Sequence, residues 1–361
     1  MTTINHISES PSTLKQEHSL ILAIETSCDE TSVAVVRDGK QVLSNMVSSQ
    51  IDIHRRFGGV VPEIASRKHV DSITLMIEQA VEEAGIKLEE LDAIAVTQGP
   101  GLVGALIVGV MAAKSLSLAL QIPIIGTHHI AGHIYANRLI SELHYPCIAL
   151  VVSGGHTEIV YMESEGSFRL IGRTRDDAVG EAYDKVARAI GLPYPGGPHV
   201  DRLAMEAKKA VELPRSWLAP DSYDFSFSGL KSAVLNALNQ SQMKGEPLDH
   251  GELARGFQES VIDVLVEKSM RAVKEYGAKQ LLLCGGVAAN KGLRAALTAR
   301  SEADGVELVI PPFQYCTDNA AMIGAAAHLK WKQGAFDSLD FNVHPSFSLE
   351  KWMGQELEDK Q

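Results

Sequence analysis

The sequence predicts an α/β protein built as two similar halves, and three observations carry that prediction. Short β-rich runs alternate with longer runs whose apolar residues recur at helical spacing. The chain has 361 residues, enough for two domains at roughly 150 residues each. Two segments, LAIETSCDETSVAVV and ALVVSGGHTEIVY, repeat one pattern: an apolar strand, a small polar loop and an apolar return strand. If each hairpin opens one half, a ligand cleft lies between the halves, and the Ser, Thr and Gly at the tips offer hydroxyls and backbone N–H groups to a phosphate or carboxylate. Two unrelated hairpins would show the same pattern, and these residues alone do not separate the readings.

The elements follow in order. Residues 19–24 (SLILAI) and 31–36 (TSVAVV) read as buried strands around a polar loop, and 70–84 as a helix capped by Gly85. Strand 91–96, helix 104–120, strand 122–125 and helix 129–142 complete the first half. The second half reads as strands 147–152 and 157–162, helices 178–190, 229–240 and 253–276, strand 280–284, helix 288–298, strand 306–310 and helix 318–333. The domain organisation expected is a flexible tail over 1–18, an N-terminal α/β lobe over 19–145, and a C-terminal α/β lobe over 146–341. That second lobe carries a helical insertion near 178–275, and 342–361 form a C-terminal tail.

Composition narrows the function classes. Hydrophobic residues at 45% and charged residues at 22% exclude a disordered or collagenous chain. Four scattered cysteines (Cys28, Cys147, Cys284, Cys316) without a C-x-x-C pair exclude a disulfide framework and fit reduced thiols in the cytoplasm. The first 20 residues lack an apolar segment, so no signal peptide is expected. The longest charge-free stretch, 93–113, is interrupted by Gln98-Gly99-Pro100-Gly101, which argues for a soluble protein without membrane association. The net charge of 33 − 45 = −12 confines any nucleic-acid contact to a local patch and predicts weak, salt-sensitive binding by the chain alone.

Several motifs carry chemistry. Gly99-Pro-Gly101-Leu-Val-Gly104 satisfies G-x-G-x-x-G between a strand and a helix, but no Asp or Glu occurs between Asp92 and Glu142 to hold a ribose. Close packing of a helix start against the sheet is the better reading. His129 and His133, spaced i, i+4 on a predicted helix, project from one face and can share a metal. A zinc-protease reading fails because Ile130 stands where H-E-x-x-H needs its glutamate. Asp318 is a candidate third ligand, and equally a candidate N-cap of the helix that follows it. Gly285-Gly286 after an apolar strand allows close backbone approach to a flat ligand, with Asn290 offering donor and acceptor. Asp184 and Asp201 flank the turn Tyr194-Pro-Gly-Gly197-Pro198 and could accept hydroxyls of a sugar or amino acid.

Ten blocks then match one family in the right order: IETSCDET (24–31), GGVVPEIASRKH (58–69), QGPGLVGAL (98–106), HHIAGH (128–133), LVVSGGHT (150–157), EAYDK (181–185), YPGGP (194–198), FSFSGLK (225–231), GGVAAN (285–290) and TDNAAMIG (317–324). From residue 22 to about 330 the chain resembles the tRNA N6-adenosine threonylcarbamoyltransferases, the TsaD family, once described as O-sialoglycoprotein endopeptidases. The resemblance implies the actin, sugar-kinase and heat-shock-chaperone fold, two duplicated α/β lobes around a nucleotide cleft. It implies one divalent metal on His129, His133 and Asp318, iron in the family's usual description, with zinc also suited to such ligands. Val151, Val152, Ser153, Gly154 and Gly155 would line the threonylcarbamoyl-AMP site, with Asp184, Gly197, Asp201 and Asn290 holding its threonyl, ribose or adenine parts. The implied partners are tRNA and proteins of the TsaB and TsaE type. The motifs contain no obvious nucleophile, which fits direct transfer, and the general base is unassigned. A small-molecule kinase of the same fold would need an acidic base aimed at a hydroxyl and would leave the histidine pair unexplained, and a non-catalytic nucleotide-binding module would bind ATP without transfer.

Overall fold

A computed structural model describes residues 18–354; all but the last residue of the expected N-terminal tail lies outside them. In the first lobe the central strand β1 (Leu20–Glu25) pairs antiparallel with β2 (Glu30–Arg37), which pairs antiparallel with β3 (Gln41–Ser49). After the single turn α1 (Ile51–His54) and helix α2 (Pro62–Ala84), strand β4 (Ala93–Gly99) adds parallel to β1 on its other side. Helix α3 (Val103–Leu120) leads to β5 (Ile124–His128), parallel to β4, and then to α4 (His129–Tyr135).

The second lobe repeats this topology. The strands β6 (Cys147–Val152), β7 (Thr157–Met162) and β8 (Arg169–Arg173) form an antiparallel meander. The helices α5 (Val179–Ala189), α6 (Gly197–Glu206), α7 (Ser228–Lys244) and α8 (His250–Glu275) are inserted before β9 (Gln280–Cys284), which lies parallel to β6. Then come α9 (Lys291–Asp304), β10 (Glu307–Val309), the short α10 (Phe313–Cys316) and α11 (Ala320–Gln333). The spatial orders β3-β2-β1-β4-β5 and β8-β7-β6-β9-β10 correspond strand for strand, with the same parallel and antiparallel pairings, so the two hairpins open topologically equivalent lobes.

Alternation of side chains along the strands explains the layers. Leu22, Ile24, Val33 and Val35 face α2 and α3, burying Ile73, Met76 and Val110 against the sheet. Ile21, Ala23, Ala34 and Val36 face the other way, onto Ala320, Ala321, Met322 and Ile323 of α11. In the second lobe Cys147, Ala149 and Val151 face Ile130, Ile134 and Tyr135 of α4, while Ile148, Leu150 and Val152 face the inserted helices. The helices α4 and α11 are therefore enclosed between the two sheets, and both begin where the lobes meet.

Several elements differ from the sequence-based expectation. Two strands, β3 and β8, were not expected, because both are edge strands with mostly half-buried or exposed residues. Helix α2 starts eight residues early, at Pro62, whose missing N–H suits a first helical position. The helix expected over 129–142 breaks after Tyr135 into a 3-10 turn, Ala136–Leu139. A full helix, α6, follows the Pro–Gly turn, where the sequence predicts only the turn. Of the expected C-terminal tail, 355–361 lie outside the described residues, while 342–354 are anchored to the body by two buried side chains, Leu349 and Trp352, the latter donating its Nε1–H to the Gly126 carbonyl at 2.9 Å.

Candidate metal centre and substrate cleft

Two residues of β5 and α4 set up the first half of the site. His128 caps α4: its Nδ1 accepts from Ile130 N at 3.1 Å, and its Nε2–H donates to the Phe347 carbonyl at 3.1 Å. Burial, with the charge of His129 adding to it, lowers its pKa to about 3, so this ring stays neutral. The next residue, His129, begins the helix and points instead at the lobe junction, with His133 one turn on.

Asp318 arrives from the turn before α11. His133 Nε2 lies 3.1 Å from its Oδ1 and His129 Nε2 lies 3.6 Å from the same oxygen. One nitrogen or oxygen from each of the three residues falls within 4.8 Å of the others. Both nitrogens of the fully buried His133 lack a hydrogen-bond partner of acceptable geometry. An orphaned buried imidazole is costly unless something binds it. Two imidazoles and a carboxylate converging on one point are a donor set that suits a divalent Fe or Zn ion, so these residues fit the metal that the family resemblance implies. The cap alternative for Asp318 fails, because Asn319 caps α11 by accepting from Met322 N at 3.1 Å.

The electrostatics agree. Burial would raise the Asp318 carboxyl, yet His129 and His133 hold it well below the usual carboxylate range. Burial would lower His129, but Asp318 and Glu25 raise its pKa to about 9. Nearby His156, in the β6–β7 loop, is lowered to about 4 by burial and by the two facing imidazoles.

That loop borders the cluster. Val151 and Val152 are completely buried within β6, backbone included, and Ser153 is nearly so, which leaves Gly154 and Gly155 as the open part of the expected ligand loop. The turn is closed by Ser153 N donating to His156 O at 2.8 Å and His156 N donating to Ser153 Oγ at 3.1 Å. Gly154 and Gly155 are exposed, and a Cβ on either would meet no atom within 4 Å. Gly285, at φ 90°, lies against β6, where a Cβ would collide with the Val152 carbonyl; it serves strand packing before any ligand. Gly101 similarly packs a Cβ-free backbone on Ser27 of the β1–β2 loop, with 2.6 Å from an added Cβ to the Ser27 carbonyl oxygen, and Gly104 packs on Ser66 of α2; the glycine-rich turn is closely packed, but against a loop and a helix rather than against the sheet.

The remaining candidates form two groups. Asp184 accepts from Gly196 N at 2.6 Å and so fixes the turn into α6, where Gly197 is open to solvent-sized space. Burial raises the Asp184 pKa. Asp201 accepts from Gln258 Nε2 at 3.0 Å and from Lys291 N at 3.0 Å. Asn290 caps α9 through Leu293 N at 2.8 Å and donates to Gln258 Oε1 at 2.9 Å. Asp201 and Asn290 are thus joined through Gln258, which carries no local sequence signal beyond its place in a helix. Glu25 and His156 are further residues absent from the expected set; for Glu25 the available signal is an acid closing the apolar run LILAI, since a buried carboxylate needs partners.

The comparisons with known proteins point one way. Residues 41–325 match the family model described as TsaD, tRNA N6-adenosine threonylcarbamoyltransferase. A protein of that name from Halalkalibacterium halodurans is 63% identical over 334 residues, 92% of this chain and 97% of the relative. One from Geobacillus thermodenitrificans is 61% identical over 92% of this chain and 98% of its own. Among solved structures, full-length HypF in its phosphate- and nucleotide-bound form has a TM-score of 0.60 at 15% identity, covering 88% of this chain and 56% of that one. The activator of the 2-hydroxyisocaproyl-CoA dehydratase from Clostridium difficile has a TM-score of 0.51 at 14% identity, covering 87% of this chain and 96% of that one. The structural likenesses establish the actin, sugar-kinase and heat-shock-chaperone fold. The family model and the close relatives go further: the chain belongs to the TsaD family of tRNA N6-adenosine threonylcarbamoyltransferases.

Proposed function

We propose that this chain transfers the threonylcarbamoyl group from threonylcarbamoyl-AMP to N6 of the adenosine 3′ of the anticodon, in tRNAs reading codons that begin with A. The N6 lone pair attacks the carbamoyl carbon and a C–N bond forms. The C–O bond to phosphate breaks, AMP leaves with the electron pair, and N6 loses a proton. Support comes from relatives named for this activity at 59–63% identity over more than nine-tenths of the chain. The geometric observation that carries the reading is the convergence of His129, His133 and Asp318 beside the open Gly154–Gly155 loop.

In this reading the three residues hold one divalent metal, Fe(2+) first and Zn(2+) as the alternative, and the bound ion supplies positive charge against the carbonyl oxygen and leaving phosphate. The backbone of Val151, Val152, Ser153, Gly154 and Gly155 cradles the adenylate, and Asp184, Gly197, Asp201 and Asn290 hold its threonyl, ribose or adenine parts. Lobes of 19–145 and 146–341, with the insertion near 178–275, enclose it. The reaction takes place in the cytoplasm, with tRNA as acceptor.

The partners are of the TsaB and TsaE type. A row of exposed apolar residues on α3, Val103, Ile107, Met111 and Leu118, recurs on one face beside Val70 and Leu75 of α2 and supports a protein contact there. By length and composition α3 could also cross a bilayer, but its other face, Ala105, Leu106, Val110 and Ala113, is packed in the first lobe.

The test is AMP release from threonylcarbamoyl-AMP by purified chain, with and without tRNA and with and without the partner proteins. AMP should appear in step with N6-threonylcarbamoyladenosine and only when tRNA is present. Equal release without tRNA would refute transfer.

A further inference from the structure

The carboxylate of Glu25 closes β1 at the lobe junction, fully buried, and every partner it has is a donor. Oε1 accepts from Ser27 N, while Oε2 accepts from Thr97 Oγ1 at 2.7 Å and faces His129 Nδ1 at 3.0 Å. Ser27 Oγ stands 3.2 Å from the same imidazole nitrogen. The opposite nitrogen, His129 Nε2, is the one turned toward Asp318 and His133. We propose that Glu25 is the positioning residue of the metal centre: it takes the Nδ1–H of His129, fixes the ring's rotation and tautomer, and leaves the Nε2 lone pair for the metal. The proposal rests on the metal reading of His129, His133 and Asp318 given above.

The physical case has three parts. Neutral imidazole carries one N–H, and the nitrogen that finds an acceptor keeps it. A carboxylate behind a metal-bound histidine both orients the ring and raises its basicity, and losing such a partner typically weakens metal binding by roughly 10–100-fold. Glu25 belongs to β1, the central strand of its sheet, and its carboxylate is anchored by a backbone N–H and by Thr97 of the neighbouring strand β4, so its position does not depend on the metal. A glutamine cannot replace it without conflict. Its amide would set an NH2 either against the Ser27 N–H or against the His129 Nδ1–H, and the second arrangement drives the proton to Nε2, where it blocks the metal.

The experiment is titration of metal-free full-length protein with Zn(2+), comparing wild type, Glu25→Gln, Glu25→Asp and His133→Ala. Alongside it run apoprotein melting temperatures and imidazole 15N spectra of the Zn(2+)-loaded proteins. Glu25→Gln should raise the Zn(2+) Kd by roughly 10–100-fold. Glu25→Asp, which keeps the charge but retracts it, should fall between Glu25→Gln and wild type. The His129 signal should be Nδ1-protonated in wild type and shifted toward the other tautomer in Glu25→Gln, a change that a merely structural carboxylate would not cause. If Glu25→Gln and Glu25→Asp bind Zn(2+) like wild type while His133→Ala does not, Glu25 has no positioning role and the metal reading stands. If His133→Ala also binds like wild type, the metal reading itself fails. Should Glu25→Gln not fold, Glu25→Asp and the wild-type tautomer decide the question.

Discussion

At the head of the first lobe the end of β1 and the loop after it are turned inward: Glu25, Thr26, Ser27 and Asp29 are all buried, and Glu25 faces His129. At the head of the second lobe the equivalent β6–β7 loop is turned outward, with Gly154 and Gly155 exposed and nothing near their missing side chains. The strands beneath them match, and the connecting loops are equal in length, residues 26–29 between β1 and β2 and residues 153–156 between β6 and β7. The first loop folds back into the junction, and Glu25 at its base stands 3.0 Å from His129 Nδ1. The second is held as a turn by its own hydrogen bonds and leaves Gly154 and Gly155 open. One topology has thus been used twice, with one loop closed into the lobe junction and the other left open.

The comparison can be broken most severely at the cluster the inward loop supports. His129→Ala or Asp318→Ala should remove bound metal and lower transfer by at least ~10³-fold, given the several kcal/mol such an ion supplies to a charged transition state. Retention of both metal and activity, measured by elemental analysis and nucleoside mass spectrometry, would sink the three-ligand reading. The outward loop should respond differently. Gly154→Val, placed in open space, should raise KM for threonylcarbamoyl-AMP by roughly 10–100-fold through steric exclusion while metal content stays intact and stability moves by no more than about 0.5 kcal/mol. If metal content fell too, the two loops would not be separable.

Away from both loops, Met111→Glu on the exposed face of α3 should weaken capture of a TsaB-type partner by at least ~10-fold, through a charge buried in an apolar contact, and leave metal content unchanged. Unaltered binding in a two-protein titration would move the partner elsewhere.

The smallest effect is on stability, and its sign differs between the loops. His156 is held neutral, with a pKa near 4 against an ordinary 6.5, so the unfolded chain takes up the proton first. Its contribution is complete above 6.5 and is lost as pH falls toward 4. His129 is raised to about 9, so its ion pairs stabilise fully below 6.5 and are lost as pH rises through 9. In melting curves of metal-free protein, His156→Gln should flatten the acid limb, and Glu25→Gln the alkaline limb, each by roughly 2–4 °C for every kcal/mol involved. Parallel pH profiles in wild type and variants would contradict this assignment.

Much of this was legible in the sequence, for physical reasons. Buried strands such as 147–152, 157–162 and 280–284 are continuous apolar runs, and their bounds came out as read. The histidine pair was visible because helical spacing alone puts both rings on one side. What escaped lacked a periodic signal. The edge strands β3 and β8 alternate weakly because neither face is deeply buried. Helix α6 hid behind a Pro–Gly turn. The parts played by His128, Gln258 and Glu25 depend on partners far along the chain: Phe347, Asp201 and His129. Local spacing carries no record of such contacts.

The most direct test of the account is metal removal and return. Full-length protein, stripped with a chelator and refilled with Fe(2+) or Zn(2+), would be assayed with threonylcarbamoyl-AMP, tRNA and the partner proteins while bound metal is counted. The account predicts one metal per chain, no modified tRNA from stripped protein, and transfer that returns in proportion to the metal restored. Full transfer by protein that holds no metal would contradict it.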